Sequence, residues 1–189
     1  FCVAMLSARA LAGPIEQLAQ VAVHPGEPDV LVLRYEAGGE GLVFSRDAGA
    51  TWQAMCASAM RPSGLDSPPS RLGRVVFDGD GRLYMGTFGA LLRDDGTGCE
   101  WSADGPFADK WVSDVTRHPS DASVLFAITS TGGEGEMNGV YRRVGEMPWE
   151  ALGTREPILI SRLHVIDRGE GMLRFYVSAV NGMLGTAPD

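Results

Sequence analysis

The chain has 189 residues, a net charge of −8, 44% hydrophobic residues and 21% charged residues. This is the composition of a folded globular protein. The acidic balance argues against binding to nucleic acid or to an anionic membrane surface, because both need a basic face. No run reaches the roughly 18 apolar residues that a membrane-spanning helix needs.

The first twelve residues are typical of the end of a secretory signal peptide. An apolar run is followed by Ala10-Leu11-Ala12, which fits the small-residue pattern before a cleavage site. A buried strand of a preceding unit is the alternative. A signal peptide over residues 1–12 predicts an extracytoplasmic protein, either secreted, periplasmic or on the cell surface. Since the first residue is Phe, we expect the chain to be a piece of a longer protein.

The three cysteines are Cys2, Cys56 and Cys99. Cleavage after residue 12 would leave Cys56 and Cys99, and a disulfide between them is allowed in an oxidising compartment. Two separate buried thiols are the alternative. Because the sequence has no C-x-x-C pair, a cysteine zinc site is not expected.

From residue 18 onward the chain repeats one plan four times. Each unit has an apolar strand, a turn rich in Pro, Gly, Asp or Ser, a second strand, and then a Gly that opens a third strand. In the first three units a Trp follows that Gly, in the pairs Gly41 and Trp52, Gly89 and Trp101, and Gly139 and Trp149. The Trp is predicted to open a short fourth strand.

These units predict an all-β fold made of four-stranded antiparallel sheets. No helical periodicity persists beyond a few residues, and short strands joined by tight turns form antiparallel sheets. A four-stranded repeat of about 40 to 50 residues is the size of a β-propeller blade. A β-sandwich is the main alternative, but it does not explain why Gly and Trp recur at matched places. Residues 13–189 are predicted to form the propeller, with blades at about 18–56, 72–104, 112–153 and 160–189, the last incomplete.

One turn carries a sharp motif. Ser45, Asp47, Gly49, Thr51 and Trp52 fit S-x-D-x-G-x-T-W between the third and fourth strands of the first unit. The Asp side chain can accept hydrogen bonds from backbone N–H groups of its own turn. Gly can adopt the positive φ that closes the hairpin, and Trp can bury its ring against the turn.

This motif resembles the Asp-box, or BNR repeat, of sialidase-like β-propellers. The resemblance implies a structural role on the outer rim, away from the catalytic centre. The second copy is degenerate: Asp94 or Asp95 would stand for the Asp, followed by Gly96 and Trp101. The third copy has lost the Asp and keeps Trp149.

Two His-Pro turns between first and second strands, at His24 and His118, add to the resemblance. They look like the turns of sortilin-type receptors, photosystem II assembly factors and xyloglucan-degrading propellers. We expect both histidines to pack within their turns, since they hold equivalent positions in different units.

The catalytic set of the sialidases is not found in this sequence. Those enzymes use three arginines, a Tyr–Glu pair and an acid Asp, with the first arginine in an Arg-x-Pro context. The nearest match, Arg61-Pro62, lacks the spacer residue. We therefore predict no catalytic, cofactor-binding or metal-binding residues.

The sequence thus favours an exported, non-enzymatic propeller that binds an unknown protein or glycan. The alternative is a sialidase-like glycoside hydrolase whose catalytic residues lie mostly outside this chain. A third hypothesis, an assembly factor for a membrane complex, depends on likeness of fold alone.

Overall fold

The computed structural model describes residues 18–35, 41–62, 72–96, 98, 100–130, 138–155 and 159–180. The signal peptide predicted at residues 1–12 lies outside them. The strands are β1 (Leu18–Val23), β2 (Leu31–Tyr35), β3 (Gly41–Ser45), β4 (Gln53–Cys56), β5 (Val75–Phe77), β6 (Leu83–Gly86), β7 (Leu91–Asp94), β8 (Trp101–Asp104), β9 (Val112–Arg117), β10 (Val124–Thr129), β11 (Asn138–Val144), β12 (Glu150–Arg155), β13 (Leu159–Asp167) and β14 (Leu173–Val180). A short 3₁₀ helix, Ala57–Met60, follows β4.

The strands form four antiparallel sheets in chain order. The first three are β1–β4, β5–β8 and β9–β12, and the fourth pairs β13 with β14. Within each sheet every strand pairs with the strand that follows it, because tight turns join antiparallel neighbours. The prediction of an all-β chain built from four-stranded antiparallel units is confirmed.

The core lies between successive sheets. Side chains alternate between the two faces of a strand, and we call the face that packs on the next sheet the front and the opposite face the back. Val32 and Leu42 on the front of the first sheet join Val75 and Leu83 on the back of the second in one apolar cluster. Two further clusters fill the next two interfaces, with Tyr84, Leu91, Val115 and Leu125 in one and Phe126, Ile128 and Leu163 in the other. Full burial of each large apolar side chain stabilises the fold by about 1.5–3 kcal/mol.

The first strand of each sheet is joined to the first strand of the next by polar side chains. Gln20 donates from Nε2 to the Val75 carbonyl (2.6 Å) and accepts at Oε1 from the Val75 N–H (2.8 Å). Asp114 accepts at Oδ2 from the Leu163 N–H (2.7 Å). Between the second and third sheets, Arg74 Nε pairs with Asp114 Oδ1 at 3.3 Å. We call these contacts the inner-strand links.

The turns that join the first and second strands also meet across the interfaces. His24 accepts at Nδ1 from the N–H groups of Gly26 (3.2 Å) and Glu27 (3.0 Å). Its ring packs edge-on against Phe77 of the second sheet. A Cβ at Gly81 would lie 1.8 Å from His24 Nε2, so this position has no room for a side chain.

His118 repeats this arrangement in the third sheet. Its Nδ1 accepts from the N–H groups of Ser120 (3.2 Å) and Asp121 (3.1 Å). The Ser120 hydroxyl donates to Asp167 Oδ2 (2.6 Å) in the turn of the fourth sheet. The histidines therefore shape turns that touch the neighbouring sheet.

The contribution of the inner-strand link at Gln20 to stability can be tested by comparing two glutamine-to-alanine variants. Gln20→Ala removes two hydrogen bonds and leaves the Val75 N–H and carbonyl without them, so we expect the free energy of unfolding to fall by about 1–3 kcal/mol. Gln53→Ala changes an exposed glutamine of β4 and should change it by less than about 0.5 kcal/mol. Urea unfolding measures both, and equal losses would contradict the role of the link.

Candidate functional site

The turn around Asp47 is closed by its own side chains. Asp47 Oδ1 accepts from the Ser45 hydroxyl (2.8 Å) and from the Thr51 N–H (2.8 Å). Asp47 Oδ2 accepts from the Thr51 hydroxyl (2.6 Å). Ser45 Oγ in turn accepts from the N–H of Gly49 (2.8 Å), whose φ is 90°. Trp52 is half-buried, and its ring lies beside Gly49.

These hydrogen bonds also set the charge of the turn. They lower the pKa of Asp47. The largest contributions come from the side chain and backbone of Thr51, followed by the hydrogen bond from Ser45. The Ala48 N–H donates to the Asp29 carbonyl (2.9 Å), which joins this turn to the turn after β1. The carboxylate of Asp47 is thus used by its own hairpin. Its assignment to an Asp-box stays a prediction.

The second copy of the motif keeps part of this arrangement with different residues. Asp94 ends β7, and its Oδ2 accepts from the Gly98 N–H (3.1 Å), as Ser45 Oγ accepts from Gly49. By this hydrogen bond Asp94 corresponds to Ser45 of the first copy, and Gly96 then corresponds to Asp47. Burial raises the pKa of Asp94 although its Oδ1 also accepts from the Leu83 N–H (2.5 Å).

The remaining residues of the predicted motif copies lie in different surroundings. Asp95 is exposed, and its N–H donates to the Glu100 carbonyl (2.9 Å). Trp101 is buried in the cluster between the first and second sheets. Cys99 lies outside the described residues, and so its disulfide with Cys56 stays a prediction.

In the third copy, the half-buried Trp149 lies in a polar and aromatic cluster between the second and third sheets. Its ring packs edge-on against Phe107 at 5.3 Å, and its Nε1 donates to Asp104 Oδ2 (3.2 Å). Arg143 also binds Asp104 Oδ2, at 2.5 Å, and donates to the Tyr84 hydroxyl. The guanidinium lies over the Tyr84 ring at 4.8 Å from its centroid. Burial raises the pKa of Tyr84, and its hydroxyl group is engaged by Arg143.

The opposite end of the second sheet presents a different surface. In an antiparallel meander the connections alternate between the two ends of the sheet, so the β6–β7 loop lies opposite the β7–β8 turn. Phe88 in this loop is 59% exposed. Lys110 and Asp109 on the nearby β8–β9 connection are also exposed. We call this surface, Phe88 with Asp109 and Lys110, the loop end.

The backbone of the loop end is fixed by main-chain hydrogen bonds. The Gly89 N–H donates to the Lys110 carbonyl (3.0 Å), and the Asp109 N–H donates to the Gly89 carbonyl (3.1 Å). Phe88 and Trp111 form an antiparallel bridge. The Lys110 ammonium group lies 3.3 Å from the Tyr141 hydroxyl. An exposed aromatic ring is therefore held on a loop of defined shape. No sequence pattern singled out Phe88, because its exposure depends on how two connections pair.

No site for a metal ion or a membrane span is found within the described ranges. They contain no cluster of three or more His, Cys, Asp or Glu residues placed to hold a metal ion. They also contain no helix long and apolar enough to cross a membrane.

Comparison with solved structures identifies the fold. An ancestral GH74 enzyme superposes with a TM-score of 0.63 at 18% identity, covering 88% of this chain and 24% of that chain. The extracellular domain of BT4673 from B. thetaiotaomicron has a TM-score of 0.57 at 14% identity, over 85% and 21%. YCF48 bound to D1 peptide has a TM-score of 0.54 at 17% identity, over 88% and 48%. The fold is a β-propeller.

The chain spans about a quarter of the GH74 enzyme and about half of YCF48. No family model matches this propeller sequence, and no curated protein sequence does. The four sheets described above thus correspond to blades of the propeller, and the inner-strand links join the first strands of successive blades.

The adjacent arginines of β11 test the cluster between the second and third blades. Arg143→Ala removes the cation from the half-buried Asp104 and the buried Tyr84, so we expect a loss of about 2–3 kcal/mol in the free energy of unfolding. Arg142→Ala breaks only the exposed pair with Glu150 and should cost less than about 1 kcal/mol. Urea unfolding distinguishes the two, and similar losses would contradict the role assigned to Arg143.

The turn at Asp47 predicts a pH-dependent effect. A folded-state pKa below the ordinary value of 3.8 means that the ionised carboxylate stabilises the fold above that pH. This contribution is lost as the pH falls through the folded-state pKa. Asp47→Asn should therefore lower the Tm at about pH 6, and the difference from the parent chain should shrink towards about pH 3.

Asp109→Asn serves as the control for this measurement, since the exposed Asp109 side chain accepts no hydrogen bond from the part of the chain described. We expect its Tm to follow that of the parent chain across the same pH range. A Tm difference for Asp47→Asn that stays constant with pH would exclude the ionised carboxylate as the source of stability.

Proposed function

We propose that this propeller is an exported, non-enzymatic binding module that recognises a segment of another protein at the loop end. The observation that carries the proposal is Phe88, which is 59% exposed on a loop whose backbone is fixed by hydrogen bonds. An aromatic ring buries a large apolar area when a partner covers it, and this burial favours binding. Because the loop is already ordered, binding costs little conformational entropy.

The surroundings of Phe88 support a protein partner. Aromatic anchors surrounded by polar groups are typical of binding hot spots. Asp109 and Lys110, whose backbone groups are hydrogen-bonded to Gly89 of the same loop, carry one charge of each sign. The YCF48 propeller, which has a peptide bound, shares this fold. The BT4673 neighbour is an extracellular domain, which together with the signal peptide predicted at residues 1–12 supports an extracytoplasmic location.

A glycoside hydrolase is the second candidate, and the GH74 neighbour favours it. In that case the catalytic residues would lie mostly outside this chain. Several arginines that a sialidase-type site would need are already engaged: Arg74 pairs with Asp114, Arg93 with Glu146, and Arg143 with Asp104.

The loop end can be tested by selecting peptides from a random display library on the immobilised chain. The selected peptide should bind Phe88→Ala at least about tenfold more weakly than the parent, because truncation of a central aromatic anchor costs more than about 1 kcal/mol. Far-UV circular dichroism establishes that Phe88→Ala is folded. Met147→Ala provides the control, since Met147 is 65% exposed on a turn of the third blade.

Three results would count against this proposal. One is equal affinity of the parent and Phe88→Ala, and another is the absence of any selected peptide. The third is turnover of xyloglucan or of a fluorogenic sialoside by the chain, which would favour the hydrolase.

A further inference from the structure

The first residue of the turn between the first and second strands has the same hydrogen bonds in three blades. His24, Asp78 and His118 each donate their own N–H to a carbonyl near the start of the second strand. Each side chain also accepts from two N–H groups of the turn. For Asp78 the donors are Asp80 and Arg82, which lie 3.0 Å and 2.9 Å from its Oδ1. The three residues therefore hold one equivalent position of the repeat.

The side chain at this position differs in size between the blades. The His24 imidazole reaches the second blade, where it packs edge-on against Phe77 and leaves no room for a Cβ at Gly81. Asp78 keeps the acceptor atom but has no ring to fill the equivalent space between the second and third blades. Because protein interiors are closely packed, a smaller side chain at a repeated position leaves a cavity unless its neighbours move into the space.

A cleft lies beside Asp78 at this interface. It has a volume of about 30 Å³, and Ser123, Arg143 and Gly145 of the third blade are among its lining residues. Asp78 is 5% exposed and Arg143 is 4% exposed, so two buried side chains of opposite charge line the cleft. A polar cavity of at least about 15 Å³ has room for a water molecule. Both blades at this interface have a neighbour on each side, so the cleft lies inside the array of blades.

Each of the two charged side chains has one polar atom without a partner. Arg143 donates to Asp104 and to the Tyr84 hydroxyl, but its Nε is buried and has no hydrogen-bond partner among the described residues. Asp78 Oδ1 accepts from its own turn, whereas Oδ2 accepts no hydrogen bond from the part of the chain that the structure describes. A buried N–H group without an acceptor is unfavourable, so we expect the cleft to hold an acceptor for Arg143.

From this geometry we infer that the cleft binds one ordered water molecule that bridges the second and third blades. The water accepts from the Arg143 Nε–H and donates to Asp78 Oδ2. An anion in the cleft would be repelled by the carboxylate of Asp78, and a cation would be repelled by the guanidinium of Arg143. A neutral molecule that both donates and accepts a hydrogen bond fits both groups.

The bound water extends the polar cluster around Arg143. A bridging water makes hydrogen bonds that are enthalpically nearly as good as direct ones. The water therefore joins the turn of Asp78 to the contacts that Arg143 already makes with Asp104 and Tyr84. Two turns of neighbouring blades are held together at a position where the first blade uses an imidazole ring instead.

A high-resolution crystal structure of the chain tests this inference. We expect one water peak within about 2.5–3.2 Å of both Arg143 Nε and Asp78 Oδ2. A direct contact between these two atoms would overturn the inference. A cleft with no peak in contact with both atoms, or with a metal ion in it, would overturn it as well.

Asp78→His is the matched variant, because His24 and His118 show that this turn accommodates an imidazole at the equivalent position. The introduced ring should accept from the two N–H groups of the turn and take the place of the water. Asp80→Asn is the control, since Asp80 also lines the cleft but is exposed. The crystal structure of the control should keep the water peak.

Magnetic relaxation dispersion of the water oxygen nucleus repeats the test in solution, because it counts water molecules that exchange slowly with the bulk solvent. The count should fall by about one in Asp78→His, since one buried site is lost, and should stay unchanged in Asp80→Asn. Far-UV circular dichroism establishes that each variant is folded. An unchanged count in folded Asp78→His, or an equal loss in the control, would contradict the inference. The crystal structure of the parent decides the question if Asp78→His does not fold.

Discussion

The burial of one blade's front face against the next blade's back face is the interaction on which this structure depends. A two- to four-stranded sheet with two apolar faces cannot be stable alone in water. Each of the three apolar clusters draws its residues from two neighbouring blades. The inner-strand links fix the register between neighbouring blades, because Gln20 and Asp114 each bind one defined backbone position of the following blade.

The turns at the two ends of the blades are held in different ways. The turns at one end are closed by their own polar side chains, as Asp47 is by Ser45 and Thr51. At the other end of the second blade, main-chain hydrogen bonds fix the connections, and the Thr87 hydroxyl adds one by donating to the Ala90 carbonyl (2.9 Å). Phe88 is 59% exposed on this ordered loop, and under the proposed function it is the residue that contacts the partner.

The periodic features of this fold could be predicted from the sequence, and the contacts across interfaces could not. The recurrence of Gly and Trp predicts four-stranded units, and the spacing of Ser45, Asp47 and Thr51 predicts a turn closed by side chains. Arg74 and Asp114 gave no such signal, because single polar residues on a strand are usually solvated. Their partners lie in another blade, about one repeat away in sequence.

Two further features depend on three-dimensional detail. The correspondence of Asp94 with Ser45 is recognised from the hydrogen bond that Asp94 accepts from the Gly98 N–H. A carboxylate takes the place of the Ser45 hydroxyl as the acceptor, so the two residue types do not match in sequence. The exposure of Phe88 follows from the pairing of its loop with the connection at Lys110 and Trp111, which local sequence does not encode.

Hydrogen–deuterium exchange of the native chain tests most directly whether neighbouring blades stabilise one another. In an array held by nearest-neighbour contacts, a blade with two neighbours opens less often than a blade with one. We predict that amides of β6 and β10, in the second and third blades, exchange more slowly than those of β2 and β14, in the first and fourth. Uniform protection across the four blades, or slower exchange in the first and fourth, would contradict this account.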